Sequence, residues 1–444
     1  MLIKKFLAYP KKVPELLRLL ILPSQIGFVQ GHSYLNEQQV RQIRHVLDSD
    51  NTLDITRNYE QRMAALIGRG YGISFAAGRM AFFTLIKTLD IGPGDEVILP
   101  GFTCSVMPNA IWRTGATPVF ADIDIESFGS DAGGIKKKIT PRTKLVVAQH
   151  SFGISCDIEE IIELCKKHSI PVVEDCALTL DSSIGGTRVG NFGDAAIFST
   201  DHSKPLNTIL GGFLYTNNRS LYEKAKEIST DLPHLDRVHQ ERLFNQFLYE
   251  RKNYMPERYP RSNFMKTVQA VAGKFGLKNH TFLEEDYRRN THANPSYPYP
   301  ARMPPFLAQL GLFELDRWPE EKNRRKCLLS EYLGIMKRSG LNKYLPKAYD
   351  DQEKEIVPLR FVFRYPGSEK LMKRMARFID VNWTWFREPV VCCPDGPESL
   401  GYSSGCCLIA EKAGRDIINW PCAVPENWDS RVIEIFRNIM EYAD

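Results

Sequence analysis

Three features of this chain could do chemistry together. Asp175 closes the apolar run "PVVED" (171–175), Lys204 lies just past "AAIFST" (195–200), and the glycine of "AAGR" (76–79) opens a helical pattern. In open α/β sheets the carboxyl ends of the strands face the ligand crevice, so residues placed there reach a common rim. A helix that begins on a glycine offers backbone N–H groups and the positive end of its dipole to a phosphate. A carboxylate, an amine and a phosphate cup are the set that pyridoxal phosphate requires. A buried aspartate keeps its ring nitrogen protonated, a lysine amine attaches it and moves protons, and hydroxyls and N–H groups hold its phosphate. Ser199, five residues before Lys204, offers such a hydroxyl. Each feature alone is ordinary. Their order, Gly78 then Asp175 then Lys204 twenty-nine residues later, carries the reading.

The elements that must position these residues are legible around them. From about Tyr71 to Asn218 short apolar runs alternate with helical patterns, as in a parallel α/β sheet. "EVILP" (96–100), "TPVFADID" (117–124), "KLVVAQH" (144–150), "PVVED" and "AAIFST" read as strands, and "RMAFFTLIKTLD" as a largely buried helix. "DIEEIIELCKKHSI" reads as a crossover helix with Asp157 as N-cap and Ile158, Ile161, Ile162 and Cys165 on one face. Residues 219–298 are charged and aromatic and read as a helical insertion, after which "PPFLAQLGLFELDRW" resumes a strong helix. The expected organisation is an N-terminal arm (1–35), a large domain (36–315) and a smaller C-terminal α/β domain (316–444).

Composition narrows the class. A length of 444 residues allows two or three domains, and 43% hydrophobic with 25% charged residues is ordinary for a globular protein. The net charge of +5 is small and no arginine-rich stripe occurs, which argues against nucleic acid as a partner. The ten cysteines include two vicinal pairs, Cys392-Cys393 and Cys406-Cys407, and none has metal-chelating spacing. With no secretory pattern before them, a reducing cytoplasm is expected. The arm "MLIKKFLAYPKKVPELLRLLILPS" is basic and apolar, but Pro10, Pro14, Glu15 and Arg18 interrupt it well short of a membrane span.

The chain resembles the DegT/StrS family of nucleotide-sugar aminotransferases. The resemblance rests on "GPGDEVILPGFT", "GATPVFADID", "ITPRTKLVVAQHSFG", "PVVEDCALTL", "VGNFGDAAIFST", "SKPL" and "GGFLYTNN", and more thinly on "ARMPPFLAQLGLFELDRW" and "INWPC". It implies the type I fold of pyridoxal phosphate transferases, with a mostly parallel central sheet flanked by helices. It also implies a homodimer that shares its active sites. Lys204 then matches the Schiff-base lysine and Asp175 the partner of the pyridinium nitrogen. Gly78 and Arg79 match the phosphate turn, Ser199 the phosphate-binding serine, and Ala177 a position beside the cofactor. Arg302 matches an arginine that reaches the neighbouring subunit's cofactor region.

Departures from the family pattern touch the pocket. Arg79 stands where a threonine is usual, so a guanidinium replaces a hydroxyl. Cys104 takes the place of a ring-stacking aromatic, Leu178 that of a hydrogen-bonding side chain, Pro300 that of an asparagine, and Ile209 that of a glycine. The expected activity is transfer of an amino group from glutamate or glutamine to a nucleotide-linked keto-sugar, for surface polysaccharide, lipopolysaccharide or another aminosugar product. Two alternatives stand beside it. A sugar dehydratase of the same family would carry histidine where this chain has Lys204. A cofactor-bound sensor or scaffold would fit the altered pocket. His150, Asp201 and His202 are candidate site neighbours, and Trp385 and Trp420 read as core-filling residues.

Overall fold

The computed structural model describes residues 18–49, 53–273, 287–289 and 297–442. The first half of the expected arm and part of the expected insertion lie outside these residues.

In chain order the strands are β1 (Tyr71–Phe75), β2 (Glu96–Pro100), the two-residue β3 (Thr103–Cys104), β4 (Thr117–Ala121), β5 (Thr143–Gln149), β6 (Val172–Asp175), the short β7 (Ser183–Ile184) and β8 (Thr187–Arg188), β9 (Ala195–Ser199) and β10 (Gly212–Thr216). Seven of them form one sheet in the order β1-β10-β9-β6-β5-β2-β4. The pairs from β9 to β4 are parallel, and β10 enters antiparallel to both β9 and β1. Strands buried on both faces read as unbroken apolar runs; β2, β6 and β10 are buried at every position.

Helices cover the sheet. Gly78–Thr88 is mostly buried, as its apolar residues on nearly every side require. The crossover helix Ile158–Lys167 buries Ile158, Ile161 and Cys165, but Asp157 does not cap it. The Asp157 carboxylate turns instead to Lys354 Nζ at 2.7 Å. The strand of "TPVFADID" stops at Ala121, because Asp122 spends its carboxylate on backbone N–H groups at 2.9–3.0 Å rather than continuing the ladder.

The described part of the 219–298 region is helical: Arg219–Thr230, Arg237–Asn253 and Tyr259–Gly273. The segment around Ile26 packs onto the body, donating to Phe378 O at 2.7 Å and accepting from Asp380 N at 2.9 Å. "PPFLAQLGLFELDRW" opens a 34-residue helix, Pro305–Arg338, that runs through Pro319. Phe306, Leu307, Leu310 and Trp318 in its first half join the core of the sheet. Leu328, Tyr332, Ile335 and Met336 in its second half join a separate core. That second core is completed by β12 (Arg360–Arg364), β14 (Ile417–Pro421) and the helix Asp429–Met440, with β11 (Lys354–Glu355) and β13 (Val390–Val391) outside it.

Candidate active site

β6 and β9 are parallel neighbours, and their carboxyl ends deliver Asp175 and the Lys204 segment to one rim. Asp175 is 4% exposed. Its Oδ1 accepts the Ala177 N–H at 2.9 Å. Burial raises its pKa, opposed by that hydrogen bond and by the charges of Lys204 and His150. Lys204 sits at the tip of a hairpin continuing β9 and β10, closed by Thr200 N to Gly211 O (3.0 Å), His202 N to Ile209 O (3.2 Å) and Thr208 N to Thr200 O (2.8 Å). Within the tip, Lys204 N donates to Asp201 O at 2.9 Å. The amine lies 4.5 Å from the centroid of the Trp385 ring and has no ion pair among the described residues.

The helix Gly78–Thr88 starts beside this hairpin. Its N-cap is Ala77, in an extended conformation and unable to cap with a side chain, so the first-turn N–H groups have no side-chain acceptor at the cap. A Cβ on Gly78 would come within 3.1 Å of Ser199 Cβ, and one on Gly212 within 2.3 Å of the Ala77 carbonyl and Gly78 N. Only glycines let the helix start, the end of β9 and the start of β10 meet. Arg302 lies next to this turn: Arg302 bridges Phe75 and His234, and Ala76 N donates to Ala301 O at 2.9 Å.

Cys104 ends β3, which pairs with β13 and so sets Cys104 beside Cys392. The Cys392 hydrogen bond holds the Cys104 thiol below its ordinary pKa, and the charges of Lys204 and Arg79 add to this. Arg79 is therefore at the same rim. Leu178 is buried in the sheet core, and Ile209 holds the left-handed φ of +66° where the family carries glycine.

A second layer braces the rim. His150 Nε2 lies 3.0 Å from Glu174 Oε2, and both side chains are fully buried. Glu174 also accepts N–H groups of Gly190, Phe192 and Gly193 at 2.7–2.8 Å. His150, Glu174 and Cys176 have metal-capable atoms close together, but these hydrogen bonds already employ the carboxylate. On the other side, His202 Nδ1 lies 2.9 Å from Glu250 Oε1, contributed by the insertion helix Arg237–Asn253. Burial lowers the His202 pKa, but Asp201 and Glu250 outweigh it and raise the net value. Sequence reading missed Glu250 and the site position of Trp385. Neither carries a local signal, since both arrive from distant segments.

Residues 33–248 match the model of the DegT/DnrJ/EryC1/StrS aminotransferase family. Over that span, just under half of its length, the chain is similar to this family. A segment of 171 residues is 39% identical to a UDP-N-acetyl-3-dehydro-alpha-D-glucosamine 3-aminotransferase of Acidithiobacillus ferrooxidans, covering 38% of this chain and 46% of that one. The chain thus spans about half the length of the relatives it matches at this level. A pleiotropic regulatory protein of Geobacillus stearothermophilus is 27% identical over 68% of this chain and 90% of its own length. The fold is that of type I aminotransferases. An aminotransferase from Psychrobacter cryohalolentis superposes with a TM-score of 0.67 at 19% identity, over 91% of this chain and 97% of that one.

Proposed function

We propose that the protein is a pyridoxal phosphate-dependent aminotransferase that moves an amino group from glutamate or glutamine to a nucleotide-linked keto-sugar. The observation that carries this is one rim holding a lysine amine without an ion pair among the described residues, a buried aspartate and a helix start without a side-chain cap. That donor set fits the cofactor: Gly78, Arg79 and Ser199 would hold its phosphate, Asp175 its ring nitrogen, and Ala177, Cys104 and Trp385 its ring surroundings. Bound there, the cofactor supplies an electron sink for carbon acids. Lys204 attaches it and moves a proton at the substrate carbon. Asp175, kept from water, holds the positive charge at the ring nitrogen. Trp385 covers the amine and limits water around it.

The reading extends to a cytoplasmic homodimer in which Arg302 serves the partner's site, with an arm (1–35), a large domain (36–315) and a small domain (316–444). Among the described residues no helix is long and apolar enough to cross a membrane. The relative named for regulation, matched over most of its length, favours a second reading: a cofactor-bound protein without turnover.

One experiment separates the two. The purified protein with cofactor should show a visible absorption band that falls when glutamate is added, and borohydride should tag the peptide carrying Lys204. Lys204→Ala should lose both band and tag. A band indifferent to every amino donor would favour the regulatory reading, and a tag on another lysine would sink the role of Lys204.

A further inference from the structure

Two thiols from distant segments meet at the rim. Cys104, the last residue of β3, is half-buried, and Cys392, just past β13, is exposed. The two strands pair in parallel, with Thr103 N donating to Pro389 O at 3.0 Å and Ser105 N to Val391 O at 2.9 Å. Ser105 Oγ adds a bond to Cys392 O at 2.6 Å. Cys104 thus stands opposite Val391, and Cys392 is its diagonal neighbour. A strand spacing of about 4.8 Å and a rise of about 3.3 Å put their Cα atoms about 6 Å apart, inside the disulfide range of about 4.4–6.8 Å. In a continuing strand the Cys392 side chain would point to the opposite face from that of Val391. Cys392 instead adopts the left-handed φ of +59°, a costly conformation for a residue with a Cβ. That turn ends the strand and leaves the Cys392 thiol hydrogen-bonded to that of Cys104.

The neighbouring cysteines are less suited to bridging. Cys393 donates its thiol hydrogen to Gly396 O at 2.9 Å. Cys406 and Cys407 have sulfur atoms 3.6 Å apart. As neighbours in sequence, however, their Cα atoms are about 3.8 Å apart, short of the disulfide range. Cys104 also has the right company. The charges of Lys204 and Arg79 favour its thiolate, which is the form that attacks an oxidant.

We propose that Cys104 and Cys392 form a redox-modification site, at which a peroxide converts the two thiols reversibly into a disulfide that fastens β13 to β3. Cys104 Sγ attacks one peroxide oxygen and the O–O bond breaks. The proton shed by Cys104 joins the departing hydroxide as water, and Cys104 is left as a sulfenic acid. The Cys392 sulfur then attacks the Cys104 sulfur, and the thiol proton leaves with the displaced hydroxyl as a second water. The two thiols lose two electrons and the peroxide gains them. A thiol reductant reverses the bridge by exchange. In the reducing compartment expected for this chain, the bridge lasts only while oxidant is present. Trp385, whose ring faces the Lys204 amine, lies just upstream on the segment that β13 ends. Oxidation thereby holds that cover in place, whether or not the rim turns over an amino donor.

The test treats the full-length protein with hydrogen peroxide, alkylates it with N-ethylmaleimide and maps the digest by mass spectrometry. A linked pair of peptides carrying Cys104 and Cys392 should appear, lighter by two hydrogens than the free thiol peptides, and should vanish with dithiothreitol. The oxidised chain should keep monomer mobility on a non-reducing gel. In Cys392→Ser, dimedone should trap Cys104 as its sulfenic acid and no bridge should form there. Amide exchange in residues 388–392 should slow in the bridged protein and recover on reduction. A bridge at Cys392-Cys393 or Cys406-Cys407 with Cys104 still alkylated overturns the proposal. So does a linked dimer, or Cys104 left as a free thiol at peroxide levels that oxidise free cysteine. Unchanged exchange in the bridged protein overturns the fastening of β13.

Discussion

His202 is a loop residue with a buried purpose. Glu250 is fully buried, and it faces His202, Gln246 and Asn207, with His32 adding a favourable charge interaction. Burial alone would raise the Glu250 pKa, but His202 outweighs it and the net shift is downward. The histidine's folded pKa is raised, so its contribution to stability is complete below the ordinary value of 6.5 and fades as pH climbs through the folded value. The glutamate's is lowered, so its contribution is complete above 4.5 and fades as pH falls through its folded value. Glu250→Gln should therefore destabilise by about 2–3 kcal/mol between these two ordinary values, as for a charged hydrogen bond. The penalty should shrink toward alkaline pH. Urea midpoints at a series of pH values would show it, and a pH-independent penalty would refute the charged pair. The pair also explains the "DHS" lead-in to Lys204. Asp201 turns the chain, its carbonyl accepting Lys204 N, while His202 ties the turn to the insertion.

At the scale of elements, the helix Leu408–Asp416 begins at Cys407 without a side-chain cap of its own. Asp122, from the end of β4, supplies it: Oδ2 accepts Ile409 N and Oδ1 accepts Ala410 N, both at 2.9 Å. Asp122→Ala should cost about 1–2 kcal/mol, as for other lost caps. Hydrogen exchange should quicken in residues 409–412 and leave β2 protected. Equal quickening in both would show that Asp122 supports the whole sheet instead. Such borrowed caps explain which parts of the fold were legible in the sequence. Strands and helices with unbroken apolar patterns could be read, and so could Asp175, Lys204, Gly78 and Ser199, because each sits at the end of such a run. Asp157 obeyed the capping pattern yet paired with Lys354, since a cation from a distant segment outcompeted the local N–H groups. Trp385 and Glu250 reach the rim only through tertiary packing, which no local spacing encodes.

At the scale of the whole molecule, the helix Pro305–Arg338 joins the two cores and carries a buried charge cluster between them. Glu321 is 2% exposed. It accepts from Arg325 Nε at 2.8 Å, Arg324 Nη1 at 2.8 Å and Arg317 Nη2 at 2.9 Å. Arg325 Nη2 in turn donates to Pro205 O at 3.2 Å, the carbonyl next to Lys204. Removing the central carboxylate would leave Arg325, 2% exposed, without a carboxylate among the described residues, while Arg324 keeps Asp429 and Arg317 keeps Glu426. Glu321→Gln should cost about 3–5 kcal/mol, as for other broken buried pairs, read as a lower urea midpoint at unchanged slope. A loss below about 1 kcal/mol would mean that Asp429 and Glu426 already compensate the cluster.

The antiparallel β10 has a consequence for how the molecule comes into being. Within the sheet β1 has a single neighbour, β10, which follows it only after the five other strands of the sheet have passed. Domains form as the chain leaves the ribosome, and pairings between distant segments are slow to close. Until Gly212–Thr216 has emerged and slid between β1 and β9, the Gly78 turn and the Lys204 hairpin have no common wall. On the proposed aminotransferase reading, a nascent chain ending before β10 should therefore be blind to pyridoxal phosphate, and its capture would mark the moment at which the sheet closes.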